Sequence, residues 1–340
     1  MSSLKLSVLD QSPIRKGGTA AQAIAETLEL ARLCDELGYH RYWLSEHHGT
    51  GLASASPEIL IGQVAAQTSR IRVGSGGVML THYAPLKVAE QFRMLETLFP
   101  GRIDLGVGRA PGSDMRTARA MADGHPVTDV ERYPEQLMDL YGFMSGTLPP
   151  SHPYYGVTAQ PAGDALPELW LLGSTRASAR YAAELGWAFC FAHFISQEGP
   201  ETVLKEYEAA FEPSPFLRAP RTAMGVSVTC AETFERAEYL SWSRWGSRVV
   251  TRARGQQGAG VITPEEAMAI DYTEPELDYL AYLRQTYIHG DPGTVRARLE
   301  DLAAEYGTDE LVLVTITHDF EARKQSYRLL AREFGLQANP

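Results

Sequence analysis

Glu46-His47-His48 follows a short apolar run, Arg41–Ser45. An imidazole exchanges a proton near neutral pH, so this triplet is the first place to look for an acid or a base. Neighbouring residues of a strand face opposite ways, so at most one of the two histidines faces a shared interior unless the strand breaks there. Gly76-Gly77 interrupts an otherwise good strand, and glycine in that setting marks a bulge or a close approach by ligand or backbone. Arg109 ends Gly106-Val107-Gly108-Arg109, where a guanidinium among small residues can grip a phosphate through two parallel hydrogen bonds. Gly173-Ser174-Thr175 joins an apolar run to a helix start. Unpaired N–H groups and two hydroxyls at such a turn make a phosphate cradle. Each of these readings has a plain structural counterpart: a histidine satisfied by backbone, a bulge without a ligand, a surface ion pair, and simple capping of a helix by Ser174.

These residues are useful only if the chain brings them together. Leu4–Leu9 is a short apolar strand ending at Asp10. Thr19 with Gln22 forms a capping box, Ile24, Leu28, Ala31 and Leu37 repeat at helical spacing, and Gly38 supplies the stop. Strand two is Arg41–Ser45, and Pro57 opens a helix to about Ser69. Ile71–Leu80 is strand three, and a helix from Pro85 ends at Pro100-Gly101. Ile103–Gly108, Glu168–Leu172, Trp187–Phe191, Ala223–Cys230 and Leu311–Thr317 complete eight strands. Further helices are expected near Glu131–Ser145, Thr175–Leu185, Glu201–Phe211 and Glu321–Phe334, and Leu148–Pro167 reads as loop. Ser247–Leu283 is the one long irregular connection, between strands seven and eight, and a loop of that length is usually a lid or a disordered insert.

Eight strands alternating with helices predict an α/β fold with a parallel sheet. At 340 residues, a single closed (β/α)8 TIM barrel of about 250 residues plus insertions fits the whole chain, 1–340, as one domain. No GxGxxG follows the first strand, which argues against a dinucleotide fold. A parallel barrel builds its site at the C-terminal ends of its strands. That rule alone selects Asp10, Glu46, His47, His48, Gly76, Gly77, Arg109, Gly173, Ser174, His193 and His318. A metal-hydrolase site would need a histidine pair on strand one, with Asp319 as the late ligand. Strand one offers no such pair, so no metal is expected.

The net charge of -11 repels phosphate backbones and makes nucleic acid an improbable partner. The N-terminus lacks the pattern of a secretory signal, and no apolar run approaches the ~20 residues that span a bilayer. Cys34, Cys190 and Cys230 are few and widely spaced, as reduced thiols of a cytoplasmic protein would be.

Taken in order, these stretches resemble the bacterial-luciferase-like flavin-dependent monooxygenases. Trp43-Leu44-Ser45-Glu46-His47-His48 is similar to that family's strand-two motif. Val73-Gly74-Ser75-Gly76-Gly77-Val78-Met79 is similar to strand three, and Pro100–Arg109 to strand four. Leu172-Gly173-Ser174 matches the end of strand five, and Gly293-Thr294 resembles a late turn. Arg109-Ala110-Pro111-Gly112-Ser113-Asp114 resembles one single-component-type branch, the YhbW-like proteins.

The resemblance implies a reduced-FMN-dependent monooxygenase that uses O2 on a small organic substrate, supplied with FMNH2 by a separate NAD(P)H-dependent reductase. It implies a cis peptide at Gly76-Gly77 against the flavin ring. Arg109, Ser174 and the Thr175 amide would hold the FMN phosphate, His47 would assist proton transfer, and His193 would approach the ring. It also implies a homodimer through Pro57–Ser69 and Pro85–Phe99. The 247–283 connection, with Arg252, Arg254, Gly255, Gly258 and Gly260 and few apolar residues before Val261, reads from its own composition as a mobile lid at the catalytic rim, with a passive surface insert as the alternative. The light-emitting members carry a cysteine where this chain has Gly108 and a tryptophan where it has His193. Their second phosphate arginine aligns with Glu135, with Arg132 one turn earlier. Light emission and an aldehyde substrate are therefore not implied. Two alternatives stand beside this reading: a deazaflavin-dependent hydride transferase on the same fold, and a non-catalytic FMN-binding protein.

Overall fold

Ten strands form the sheet of the computed structural model, which describes residues 4–49, 51–110, 114–122, 132–195, 199–255 and 260–337. They are β1 (Lys5–Asp10), β2 (Arg41–Leu44), β3 (Arg72–Ser75), β4 (Val78–Met79), β5 (Ile103–Gly108), β6 (Glu168–Gly173), β7 (Ala188–Ala192), β8 (Thr222–Cys230), β9 (Ile288–Gly290) and β10 (Glu310–Val314). Every ladder is parallel. β4 continues β3 beyond the glycine pair, and β9 adds only to the end of β8. The remaining eight strands run round in sequence order, and β10 pairs with both β1 and β8, so the sheet closes into a TIM barrel.

The helices are α1 (Ala20–Leu37), α2 (Pro57–Ala66), α3 (Pro85–Leu98), α4 (Met115–Ala122), α5 (Tyr133–Ser145), α6 (Arg176–Leu185), α7 (Pro200–Ala210), α8 (Phe234–Ala253), α9 (Pro264–Met268), α10 (Glu274–Thr286), α11 (Pro292–Tyr306) and α12 (Phe320–Glu333). The capping box at Thr19 and Gln22 starts α1, and Gly38, at φ 85, stops it. Their apolar faces meet the outside of the barrel in one large core that includes Leu30, Ile61, Phe92, Leu140, Phe189 and Leu330. Cys34, Cys190 and Cys230 are buried and unbridged. No helix among the described residues is long and apolar enough to cross a membrane.

One expectation is corrected here. The 247–283 connection is not irregular. Its first residues finish α8, and it carries α9 and most of α10. Trp245, Val249, Leu280, Leu283 and Tyr287 pack together, as do Val250, Ile262 and Ala267. Thr263 with Glu266 and Thr273 with Glu276 form the two capping boxes that start α9 and α10. The Arg/Gly-rich stretch from 252 to 260 conceals this in the sequence.

Glycine sets how closely β3 and β5 approach. A Cβ on Gly106 would lie 2.2 Å from the Ser75 carbonyl oxygen, and one on Gly74 would lie 2.4 Å from that of Asp104. Both obstacles are backbone, which cannot rotate aside. Gly62, within α2, has room: its Cβ would sit 3.5 Å from a Leu95 methyl, an ordinary contact. Gly106→Ala is therefore expected to destabilise by about 1–3 kcal/mol through overpacking, and Gly62→Ala to stabilise by about 0.5–1 kcal/mol. Urea midpoints of the two variants check this, and equal shifts would refute the backbone-contact account.

Candidate active site

The barrel interior is layered. At its N-terminal end Arg41, Asp104 and Glu310 form a buried ionic layer. Above it, Leu9, Trp43, Trp170, Ala188, Cys190, Ala223 and Val312 pack as an apolar layer. The C-terminal end opens into a cavity of about 430 Å³. The expected site residues converge on it. Its walls include His47, Gly76, Gly77, Arg109, Gly173, Ser174 and Thr175, contributed by the ends of β2, β3, β5 and β6.

The peptide bond between Gly76 and Gly77 is cis. Side chains are excluded there: a Cβ on Gly76 would meet Leu9 at 2.7 Å, and one on Gly77 the Gly106 carbonyl at 2.8 Å. The glycine pair thus presents bare backbone to the cavity. Glu46 holds it in place. Its buried carboxylate accepts from the Met79 N–H at 2.8 Å, just past the glycines, and from the Tyr83 hydroxyl at 2.7 Å. Its third partner is the His48 ring at 2.8 Å. The two histidines therefore divide their tasks: His48 faces Glu46, and His47 faces the cavity.

The His47 Nδ1 lies 2.9 Å from the Ser45 hydroxyl, and its backbone N–H donates to the Ser54 carbonyl. Burial, reinforced by the nearby Arg244, His48 and Arg248, pushes its pKa down to about 4. The ring is neutral near neutral pH. One ring nitrogen then carries a proton and the other a lone pair, the state in which histidine both donates and accepts.

At the far end, Thr175 caps α6 by accepting from the Ser178 N–H. Capping therefore does not occupy Ser174, contrary to the plain reading of that turn. Gly173 is required because its Cβ would lie 2.5 Å from the Ser178 side chain. Arg109 reaches the same wall. Beside it the Tyr133 hydroxyl, close enough to feel the guanidinium's charge, is buried without a hydrogen-bond partner. A guanidinium, an uncommitted serine, a helix N-terminus and an orphaned hydroxyl at one end of an apolar cavity fit a phosphate-bearing ligand.

Several residues singled out in the sequence are not among those lining the cavity. His193 is not among the cavity's lining residues; its ring stands 6.3 Å from that of Tyr306. A tight turn, with Ile195 N–H donating to the Ala192 carbonyl, brings Phe194 and Ile195 inward instead. Asp10 pairs with Arg323 beneath the site, and His318 lies at the surface. Asp319 caps α12. Arg132, at the N-cap of α5, is not a lining residue either. Gln11, Met79 and Ser178 line the cavity and were not anticipated. Gln11 and Ser178 each sit one residue or one turn beyond a strand end, a position the pattern of apolar runs does not mark.

The luciferase-like monooxygenase family profile matches residues 4–310. Among curated relatives, YceB of Bacillus subtilis is 44% identical over 334 residues, 97% of this chain and 99% of the relative. The N-acetyl-S-alkylcysteine monooxygenase of the same organism is 38% identical over 331 residues, 96% and 97% of the two chains. Among solved structures, apo-MsnO8 superposes with a TM-score of 0.86 at 38% identity, over 99% of each chain.

The depressed His47 pKa sets a titration. Imidazole signals followed by NMR are expected to place its midpoint near 4, with no change between pH 6 and 8. The sign follows for stability as well. A neutral-favouring fold binds fewer protons than the unfolded chain between about 4 and the usual 6.5. This contribution is complete above about 6.5 and is lost as pH falls through that window. A His47 midpoint near 6.5 would contradict the burial argument.

Proposed function

Since the chain belongs to the luciferase-like monooxygenase family, we propose that it binds reduced FMN in this cavity and uses O2 to oxidise a small organic substrate. A separate NAD(P)H-dependent reductase would deliver the flavin. The observation that carries the proposal is one cavity with a phosphate-type cradle at Arg109 and Ser174 and a bare-backbone wall at Gly76-Gly77. Reduced FMN, when bound, supplies the electrons that activate oxygen; the protein supplies binding, orientation and protection from water. Arg109, Ser174 and the α6 N-terminus hold the phosphate. Leu9, Leu172 and Phe194 give the ring an apolar surround and exclude water. His47 holds a proton at one ring nitrogen and passes it at Nε2, while Ser45 fixes the ring through Nδ1. The 247–283 connection covers the rim through Val261, which pairs with the loop after β1 and packs into the barrel-top cluster; in this reading it is the lid. His193, expected to approach the ring, adjoins Phe194, which lines the cavity. The named activity of the 38% identical Bacillus relative makes an N-acetyl-S-alkylcysteine the first substrate to try.

The same reading includes a homodimer in a reducing cytoplasm. Ile59 on α2 and Met94 and Leu98 on α3 are 68%, 50% and 61% exposed, an apolar patch of the kind that marks an interface. Light scattering at micromolar concentration should give twice the 37.4 kDa chain mass, and a single-chain mass would overturn the dimer.

Anaerobic titration with reduced FMN and reduced riboflavin tests the cradle. FMN should bind more tightly, and Arg109→Ala should cost about 10- to 100-fold in FMN affinity with riboflavin nearly unchanged. Equal affinities for the two flavins would sink the phosphate assignment. Tight binding of a reduced deazaflavin, without oxygen uptake, would favour hydride transfer instead. His47→Ala should still bind reduced FMN, yet on mixing with oxygen it should release hydrogen peroxide faster than the unaltered protein. An unchanged release rate would remove His47 from the chemistry, and a protein that binds FMN with no oxygen chemistry at all would be the non-catalytic alternative.

A further inference from the structure

The fully buried arginines of this barrel are matched to acceptors. Arg41 pairs with Asp104 and Glu310, and Arg323 with Asp10. Arg93 donates to the carbonyls of Pro161, Met144 and Gly163. Arg244 and Arg248, half-buried and one turn apart on α8, differ from them. The Nε of each is buried without an acceptor. Among the described residues no carboxylate makes an ion pair with either guanidinium. Arg244 Nη2 donates to the Gln11 carbonyl at 3.5 Å, and the phenol oxygens of Tyr287 and Tyr279 stand close to the two guanidiniums. Beside them the Tyr287 hydroxyl is also buried and unpartnered. Partly desolvating a guanidinium with no anionic partner is costly, so two together, faced by one amide and neutral phenols, form a site that an anion would complete.

Its location gives it a use. Gln11 and His47 both line the cavity, and both arginines are close enough to His47 to help keep it neutral. Neither arginine lines the cavity itself; the pair stands behind Gln11, on the α8 side of His47. We infer that Arg244 and Arg248 bind an anionic group of the substrate, a carboxylate or a sulfonate, and hold its apolar remainder toward His47. This rests on the oxygenase reading above for what happens to the substrate, but not for the binding itself. The substrate is then bifunctional: an acid at one end and an oxidisable group at the other, spaced by the distance from α8 to the glycine wall. Arginine suits this task because its planar fork matches a carboxylate or sulfonate through two hydrogen bonds.

The test is calorimetric binding to the full chain, with and without FMN, using matched probes: phenylthioacetate against its methyl ester, octanoate against octanamide, and octanesulfonate. At least one acid should bind 10-fold or more tightly than its neutral partner, and the carboxylate-sulfonate comparison tells which head group fits better. Arg244→Met and Arg248→Met should each abolish the preference, Arg248→Lys should keep part of it, and FMN affinity should stay within about 2-fold in all three. In the unaltered protein, inorganic sulfate should compete with the acids and leave the neutral partners untouched, a measurement that needs no variant to fold. Acids that bind no better than their neutral partners, or that do not bind at millimolar concentration, would overturn the inference, as would a preference that survives both methionine variants. Acid binding without FMN binding would overturn the flavin assignment and leave this site standing.

Discussion

One guanidinium fastens the closed end of the barrel. Arg41 begins β2, yet it pairs with Asp104 on β5, Glu310 on β10 and, at 3.3 Å, Glu168 on β6. Its plane lies over the Trp170 ring, 4.8 Å from the centroid. Asp104 also accepts from the Trp43 indole and from Arg72. Four strands, β2, β5, β6 and β10, are thereby held together at the base of the barrel. Burial alone would push the Arg41 pKa down, but the surrounding carboxylates hold it above its usual range. Such a cluster is worth little compared with a well-packed apolar plug, yet losing one partner strands a buried charge at a cost of about 3–5 kcal/mol. It specifies the closure more than it stabilises it.

With the bottom filled by charge and the middle by Trp43 and Trp170, side chains occupy everything below the strand tips. The cavity can exist only at the C-terminal end, where Gly76, Gly77 and Gly173 withdraw from the interior. The glycines and the ionic layer are two halves of one arrangement. The same strands that meet over Arg41 at the base are kept close enough at Gly74 and Gly106 for backbone to contact backbone. That closeness sets the cis Gly76-Gly77 segment and the β4 residues against β5, with Glu46 bracing them from β2.

Much of this was legible in the chain. The eight barrel strands, the capping box at Thr19, the glycine pair and the convergence of Arg109 with Ser174 all follow from apolar runs and the residues that end them. What was not legible depends on turns and on a helix. Just past β7, a hydrogen-bonded turn at 192–195 brings Phe194 and Ile195 to the cavity wall, which the apolar run before it does not mark. The helix α8 begins with Thr233 as N-cap, but the glycines and arginines after Ala253 dominate the local composition and made the segment read as loop. With the helix unseen, the four-residue spacing of Arg244 and Arg248 has no meaning, because nothing else puts them on one face.

The two ends of the barrel carry arginine under opposite conditions, and His47 registers the difference. At the base every charge is answered by another. Behind Gln11, Arg244 and Arg248 are answered by no carboxylate among the described residues, and together with His48 and burial they hold His47 neutral. His48 in turn is bound to Glu46 and contributes from β2, so the fields that act on His47 come from its own strand and from α8. An anion entering between α8 and Gln11 would cancel part of the positive field. It would therefore raise the proton affinity of His47, and by reciprocity protonating His47 would tighten the anion by the same factor. The histidine titration with and without a saturating acid measures that factor directly; a midpoint that stays near 4 would show the two sites to be independent. Coupled in this way, His47 would change its readiness to take a proton when an acid arrives, rather than with the pH of the surroundings.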